Sequence, residues 1–293
     1  MKIGSFPFLI ILAVAFGFAG AYAQADNCSL AWSVNSLGGE RMSGTNRIAI
    51  VSIGQTTIGE SASARRMAGL GVLSAEQSPP LVMISPASAK LRADGKRVAL
   101  GGLVVTSKPG EFSDRIYAEA EDRSSGIALV NPVGEAYLTE EGSRVNVVGG
   151  AFTVNKERVI SAPMVAVLYK DDPLPALEMT NKTLGGGKLG APPLGQQAVL
   201  GGQGLNNVGL LVRTTGLVID DGNPQYILIN DGSWLPLWGS GLRVEKANLS
   251  PAPGLESYIA VTGISGVRMR GSVLDSIIRP RRATDVETLL PAP

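Results

Sequence analysis

Residues 209–231, GLLVRTTGLVIDDGNPQYILIND, read as two β-strands joined by a tight turn. Apolar side chains run and alternate through both arms, the pattern of strands buried on one face. The joining segment Asp220-Asp221-Gly222-Asn223-Pro224 carries turn chemistry. Asp and Asn side chains bond the backbone two residues on, glycine accepts left-handed backbone, and proline leaves the ladder. No polar side chain in the stretch is poised for chemistry, so its role is architectural.

The pattern recurs upstream. Gly102-Leu103-Val104-Val105-Thr106 matches Gly216-Leu217-Val218-Ile219-Asp220 at an offset of 114 residues, and Val145-x-Val147-x-Gly149 matches Ile259-x-Val261-x-Gly263 at the same offset. Gly126 and Gly241, each opening a short apolar run, lie 115 apart. A near-constant offset with divergent sequence between the anchors indicates a duplicated domain. Five strands are predicted in each copy: 97–106, 115–121, 126–130, 144–149 and 159–167 in the first; 209–220, 225–230, 241–246, 258–263 and 272–279 in the second. Gly102 and Gly216 are expected to let each long first strand bend.

A long bent strand, a hairpin, a short third strand and a gap before two more strands resemble the OB-fold, a five-stranded Greek-key barrel. The motifs Glu121-Asp122-Arg123-Ser124-Ser125-Gly126 and Asn230-Asp231-Gly232-Ser233 resemble the turn after the second strand of secreted bacterial OB-fold proteins. The fold class expected is therefore all-β: two tandem five-stranded OB-fold-like barrels plus a small N-terminal β module. The helix usual between strands three and four has little room in the second copy, where residues 249–256 hold a turn at most, so a small sandwich is the alternative.

Residues 1–23 carry Lys2, an apolar run over 6–21 and the small-x-small site Ala21-Tyr22-Ala23, the pattern of a secretory signal peptide. An uncleaved anchor is the alternative, since the run is close to the ~18 residues that span a bilayer. Within the module at 24–77, Trp32-Ser33-Val34, Gly38-Gly39, Ile53-Gly54-Gln55, Ile58-Gly59 and Gly69-Leu70-Gly71 resemble a β-rich, TIGQ-type module near the N-termini of secreted bacterial surface proteins. Ser78-Pro79-Pro80 marks its end. The first barrel is expected over 85–170 and the second over 208–283. Between them, 171–207 holds eight glycines from Gly185 to Gly204 and reads as a linker, or as a segment that wraps the domains. Residues 284–293 form a tail, with one helical turn expected over 284–290.

Composition excludes more than it assigns. The 293 residues include no histidine and one cysteine, Cys28, which removes the Ser-His-Asp triad, His-ligated zinc, Cys-rich metal sites and an intrachain disulfide. Without residues 1–23 the chain has 25 basic and 25 acidic side chains, so no general attraction to nucleic acid is expected. Gly185-Gly-Gly-Lys188 and Gly201-Gly-Gln-Gly204 lack the frame of a phosphate loop. Glu119, Glu121 and Asp122 beside Arg115 and Arg123 are expected to form a solvated, salt-paired strand face.

One constellation remains. Tyr226, Trp234 and Trp238 concentrate aromatics in the second copy, with Arg243 beside them and Arg268, Arg270, Arg279, Arg281 and Arg282 following. In OB-folds, aromatics on strands two and three stack on bases or sugars. The competing reading makes Tyr226 core, lays the tryptophans over a loop and sets the arginines along solvated edges. The expectation is a secreted, non-enzymatic structural or interaction protein of the bacterial envelope or exterior, with no cofactor and no metal, engaging a protein or envelope component. The alternative is a module that binds single-stranded nucleic acid or oligosaccharide through Tyr226, Trp234, Trp238 and Arg243.

Overall fold

The computed structural model describes residues 82–233 and 241–292 and, before them, only the backbone of short strands between Ala13 and Gly69. The chain divides into two compact units, 1–80 and 81–293. In the first, Gly39–Gly44, Arg47–Ser52, Glu60–Ser63 and Arg66–Gly69 form a four-stranded antiparallel meander. The export signal expected over 1–23 lies largely outside the described residues, as do Trp32 and Ile53-Gly54-Gln55.

The second unit holds both copies. In the first copy, β1 (Arg97–Val105), β2 (Arg115–Glu119) and β3 (Gly126–Val130) run antiparallel in succession. β4 (Ser143–Val154) pairs antiparallel with β1 and with β5 (Glu157–Lys170). β5 then closes the ring by running parallel to β3, Ala128 opposite Val159. The second copy repeats every pairing. β6 (Leu211–Asp220), β7 (Tyr226–Asn230) and β8 (Leu242–Glu245) are antiparallel in succession. β9 (Tyr258–Arg270) pairs with β6 and with β10 (Val273–Arg279), which closes parallel to β8. The domain is all-β, with two barrel-like units that each close in the strand order 1-2-3-5-4-1.

The register also repeats. Val98 faces Gly149 and Leu100 faces Val147 in the first barrel; 114 residues on, Val212 faces Gly263 and Thr214 faces Val261. The copies then diverge by one residue, because β1 carries a bulge between Leu100 and Leu103. Gly102 is the bulged residue, with φ +63° and open space around its Cα. Gly216 has no such backbone. A Cβ there would lie 3.0 Å from the amide nitrogen of Asn230, so this glycine answers crowding rather than bending.

Inward residues fill each ring. Val98, Leu100, Leu103, Val105, Ile127, Leu129, Val145, Val147 and Ile160 form the first core; Val212, Val218, Ile227, Ile229, Val244, Ile259, Val261 and Ile278 form the second. Each such side chain removed from water contributes about 1.5–3 kcal/mol. Two elements differ from the sequence expectation. A short helix α1 (Pro86–Lys90), capped by the Ser85 hydroxyl on the Ser88 amide, leans on the first barrel. At the C-terminus, the helical turn expected over 284–290 is confined to a 3₁₀ turn at Ala283–Asp285, and β11 (Val286–Leu290) adds antiparallel to β9, where the backbone gains ladder partners that an isolated turn lacks.

The glycine-rich segment 171–207 is packed rather than slack. Leu184 is buried in the second core. The buried Asn181 donates from Nδ2 to Thr214 Oγ1 at 2.8 Å and to the Thr215 carbonyl at 3.0 Å, and its amide donates to Asp231 at 2.8 Å. The buried Gln196 accepts from the Arg158 amide at 2.8 Å and donates to the Lys156 carbonyl at 2.8 Å. Two scattered amides thus fasten the segment to both barrels, so it wraps the domains rather than hanging as a free linker.

Candidate functional site

The joint between the barrels decides which charges stay available. Tyr117, Ala128, Val130 and Val159 of the first barrel pack with Leu211 and Ile264 of the second. Gly126 and Gly209 meet backbone to backbone: a Cβ on Gly126 would lie 2.1 Å from the Gly209 carbonyl oxygen. Beside them the buried Glu157 receives Arg279 of the second barrel at 3.0 Å and approaches Arg115 at 3.6 Å. Burial is the largest single influence and opposes the charge of Arg279, but Glu157, Tyr117 and Glu245 together outweigh it and raise the pKa. Arg279 also donates to the hydroxyl of Tyr117, whose own pKa burial pushes up to about 12. Arg281 donates to the Thr106 carbonyl at 2.9 Å and pairs with Asp285 and Glu141; Arg282 pairs with Glu111 and Glu141. Three arginines expected near a ligand face are thus committed to the joint.

The carboxylates expected on one solvated face are separated. β2 ends at Glu119, and the chain turns between Ala120 and Ser125. Glu119 is fully buried in the joint, where Oε2 accepts the Leu211 amide at 3.1 Å and Oε1 has no hydrogen bond. Burial pushes its pKa up to about 7, against the Leu211 bond and Arg123, whose Nε stands 3.9 Å away. Glu121 stays exposed and pairs with Arg144 at 3.0 Å; Asp122 caps the Ser124 amide at 2.9 Å. A turn, invisible to the period-two rule, splits the group.

On the second barrel, the alternation of β7 sends Tyr226, Leu228 and Asn230 outward, with Ile227 and Ile229 inward. The pairing of β7 with β8 sets Glu245 opposite Tyr226 and Arg243 opposite Leu228. Tyr226 is half-buried. The guanidinium of Arg243 lies 4.8 Å from its ring centroid and that of Arg268 lies 5.9 Å away. Tyr226 and Arg243 are therefore together, as the sequence suggested, but Arg243 is mostly buried and bound to Asp275 at 2.5 Å. Arg270 approaches the same carboxylate at 3.7 Å. Trp234 and Trp238 lie outside the described residues.

A cleft of about 670 Å³ opens beside this cluster. Its walls are Pro224 and Gln225 of the β6–β7 turn, Glu245 and Lys246 at the end of β8, Arg268 and Met269 of β9, and Ile277 and Arg279 of β10. Asn155, at the β4–β5 turn of the first barrel, completes it. Sequence reasoning missed Gln225, Glu245, Lys246 and Asn155, because only strand pairing and the barrel joint bring them together. Lys246 is occupied, donating to the carbonyls of Asp221 at 2.6 Å and Asn223 at 2.7 Å. Arg268 donates to Gln225, and among the described residues no carboxylate pairs with it. Among the described residues no group of three or more acidic or cysteine side chains is placed to hold a metal ion. No protein-family model matches the chain, and no curated protein matches its sequence.

Proposed function

We propose that the chain is an exported, non-enzymatic interaction protein whose two fused barrels hold a rigid face toward a partner protein or envelope component. The observation that carries this reading is the cleft on the outer face of the second barrel, bounded by the β6–β7 turn, the ends of β8 and β9, and Asn155. OB-type barrels take their ligands on the strand-two and strand-three face between those loops. The lining mixes Glu245 with Lys246 and Arg268, and Arg243, Arg270 and Arg279 already have carboxylate partners. Such a surface suits the mixed charges and amides of a protein segment better than a uniform polyanion. The test is cross-linking of envelope extract to the full chain and to Gln225→Ala and Arg268→Gln variants. A partner lost from both variants supports the reading; a partner profile unchanged by either removes the cleft from it.

A second reading, binding of single-stranded nucleic acid or oligosaccharide, is favoured by Tyr226 with two guanidiniums over its ring. A base or sugar stacked there must displace one of them. Titration with a single-stranded oligonucleotide across salt concentrations separates the ligands, since each phosphate neutralised adds nearly one unit of log–log slope. With Arg268 and Lys246 as the cleft cations that no carboxylate pairs with among the described residues, the expected slope is about one to two; a neutral glycan shows none.

A further inference from the structure

The second unit carries one large apolar surface that neither barrel core uses. On β5 the alternation sends Met164, Ala166 and Leu168 outward, while Val165 faces the core. Val148 of β4 stands directly opposite Met164. Alongside, the two-residue strand Val133–Gly134 pairs parallel with β5 and sets Val133 opposite Met164. The 3₁₀ turn Glu135–Leu138 follows and is tied to β5 by Glu135, whose carboxylate accepts the Val167 amide at 2.7 Å. Register and this bond make the surface continuous.

Its side chains are open to solvent: Val133 51 %, Tyr137 75 %, Leu138 55 %, Met164 63 % and Leu168 48 % exposed. With roughly 150–250 Å² for an aromatic side chain and less for each of the four aliphatic ones, these five present on the order of 500 Å². That is toward the upper end of the largest patch on ordinary monomers, about 300–600 Å², and approaches the ~800 Å² that each partner contributes to a standard interface.

We infer that this outer face of the first barrel is the interface between two copies of the chain. The area matches what a dimer needs once flanking Ala166 and Val148 join the contact. Charge favours self-association as well. Basic and acidic side chains balance after residue 23, so two copies do not repel through net charge. The Glu140–Lys170 ion pair at the edge of the face offers both signs, which a two-fold axis matches with their opposites on the second copy. The cleft lies on the other barrel, so the two surfaces are tested separately.

Sedimentation equilibrium of the full chain over a range of micromolar concentrations reads the inference directly. The expected result is a reversible dimer. Met164→Glu and Leu138→Glu place a charge on an exposed position, so each monomer keeps its fold by circular dichroism while the dissociation constant rises about a hundredfold or more. Arg268→Gln, on the cleft, leaves the dimer intact. A wild-type chain that stays monomeric throughout, or a dimer unaffected by both glutamate variants, overturns the proposal.

Discussion

The two barrels share every ring-closing strand pairing and the register of the first strand on the fourth up to the bulge, yet their outer faces have little in common. The first leaves a stripe of Val133, Tyr137, Leu138, Met164 and Leu168 open to solvent. The second covers the corresponding kind of surface with Tyr226, Arg243, Glu245, Arg268 and Asp275, paired to one another around a cleft. A closed ring constrains only its inward positions, where Val98 and Val212 or Val147 and Val261 stay aliphatic in both copies. Outward positions are free to diverge, so binding character follows the surface and not the shared connectivity. The joint is the third region, and there the copies are complementary rather than alike.

That view can be broken most sharply at Glu157. Replacing it with alanine removes the closest carboxylate of Arg279, leaving it Glu245 at 3.7 Å, while Arg115 keeps Asp114 at 2.7 Å; removing one partner of a buried pair costs about 3–5 kcal/mol. Denaturant unfolding should show that loss and resolve two transitions as the barrels uncouple. A single transition shifted by less than about 1 kcal/mol would mean the joint does not depend on this carboxylate.

Acid–base behaviour sharpens the contrast next. Glu119 has a folded pKa of about 7 against an ordinary 4.5, so ionising it opposes the fold. Its contribution is fullest below about pH 4.5 and is lost as pH rises toward 7. A shift of this size corresponds to on the order of 3 kcal/mol. Lys90, buried where its ammonium donates to the Val208 carbonyl at 2.7 Å, has the opposite sign. Burial lowers its pKa to about 8, despite the opposing influence of Glu157, so stability recovers as pH climbs from 8 toward 10.5. Both groups are charged between about pH 7 and 8, where their combined effect on melting temperature is least favourable. Glu119→Gln should abolish the decline on the acid side and leave the alkaline limb; an unchanged profile would remove Glu119 as its cause.

A smaller effect is expected at Gly126. Alanine there drives a Cβ into the Gly209 carbonyl, and overpacking of this kind costs about 1–3 kcal/mol. Calorimetry of Gly126→Ala should place the loss in coupling between barrels, with both barrel cores still folding. The smallest effect separates the copies themselves. Gly102→Ala should cost about 1 kcal/mol through left-handed backbone strain in open space. Gly216→Ala should cost a similar amount, about 1 kcal/mol, by crowding against Asn230. Asparagine tolerates left-handed backbone, so Gly102→Asn should recover part of the loss where Gly216→Asn does not. Equal behaviour at both sites would contradict the bulge as the point where the registers part.

Much of the fold was legible because strand periodicity is local. The predicted strand 126–130 matches β3, and the expected 258–263 and 272–279 fall within or close to β9 and β10. The turn at Asp220–Asn223 forms, with Asp220 and Asn223 each capping a backbone amide two residues on at 2.9 Å. The repeat offset of 114 survives in the pairing of Val98 with Gly149 and Val212 with Gly263. The pairing of Tyr226 with Arg243 was also within reach, since adjacent strands of one hairpin meet in a register the turn sets.

What sequence alone determined is therefore the all-β class, the duplication and the lack of any histidine or second cysteine. These depend on composition and on patterns a few residues long. Tertiary structure decided the rest. It buried Glu119 while exposing Glu121, turned residues 286–290 into a strand beside β9, and committed Arg279, Arg281 and Arg282 to the joint. It also folded the glycine-rich segment down through Asn181, Leu184 and Gln196. Each outcome depends on partners up to 175 residues away, as between Arg281 and Thr106, and no local pattern records which distant carbonyl or carboxylate a side chain will meet.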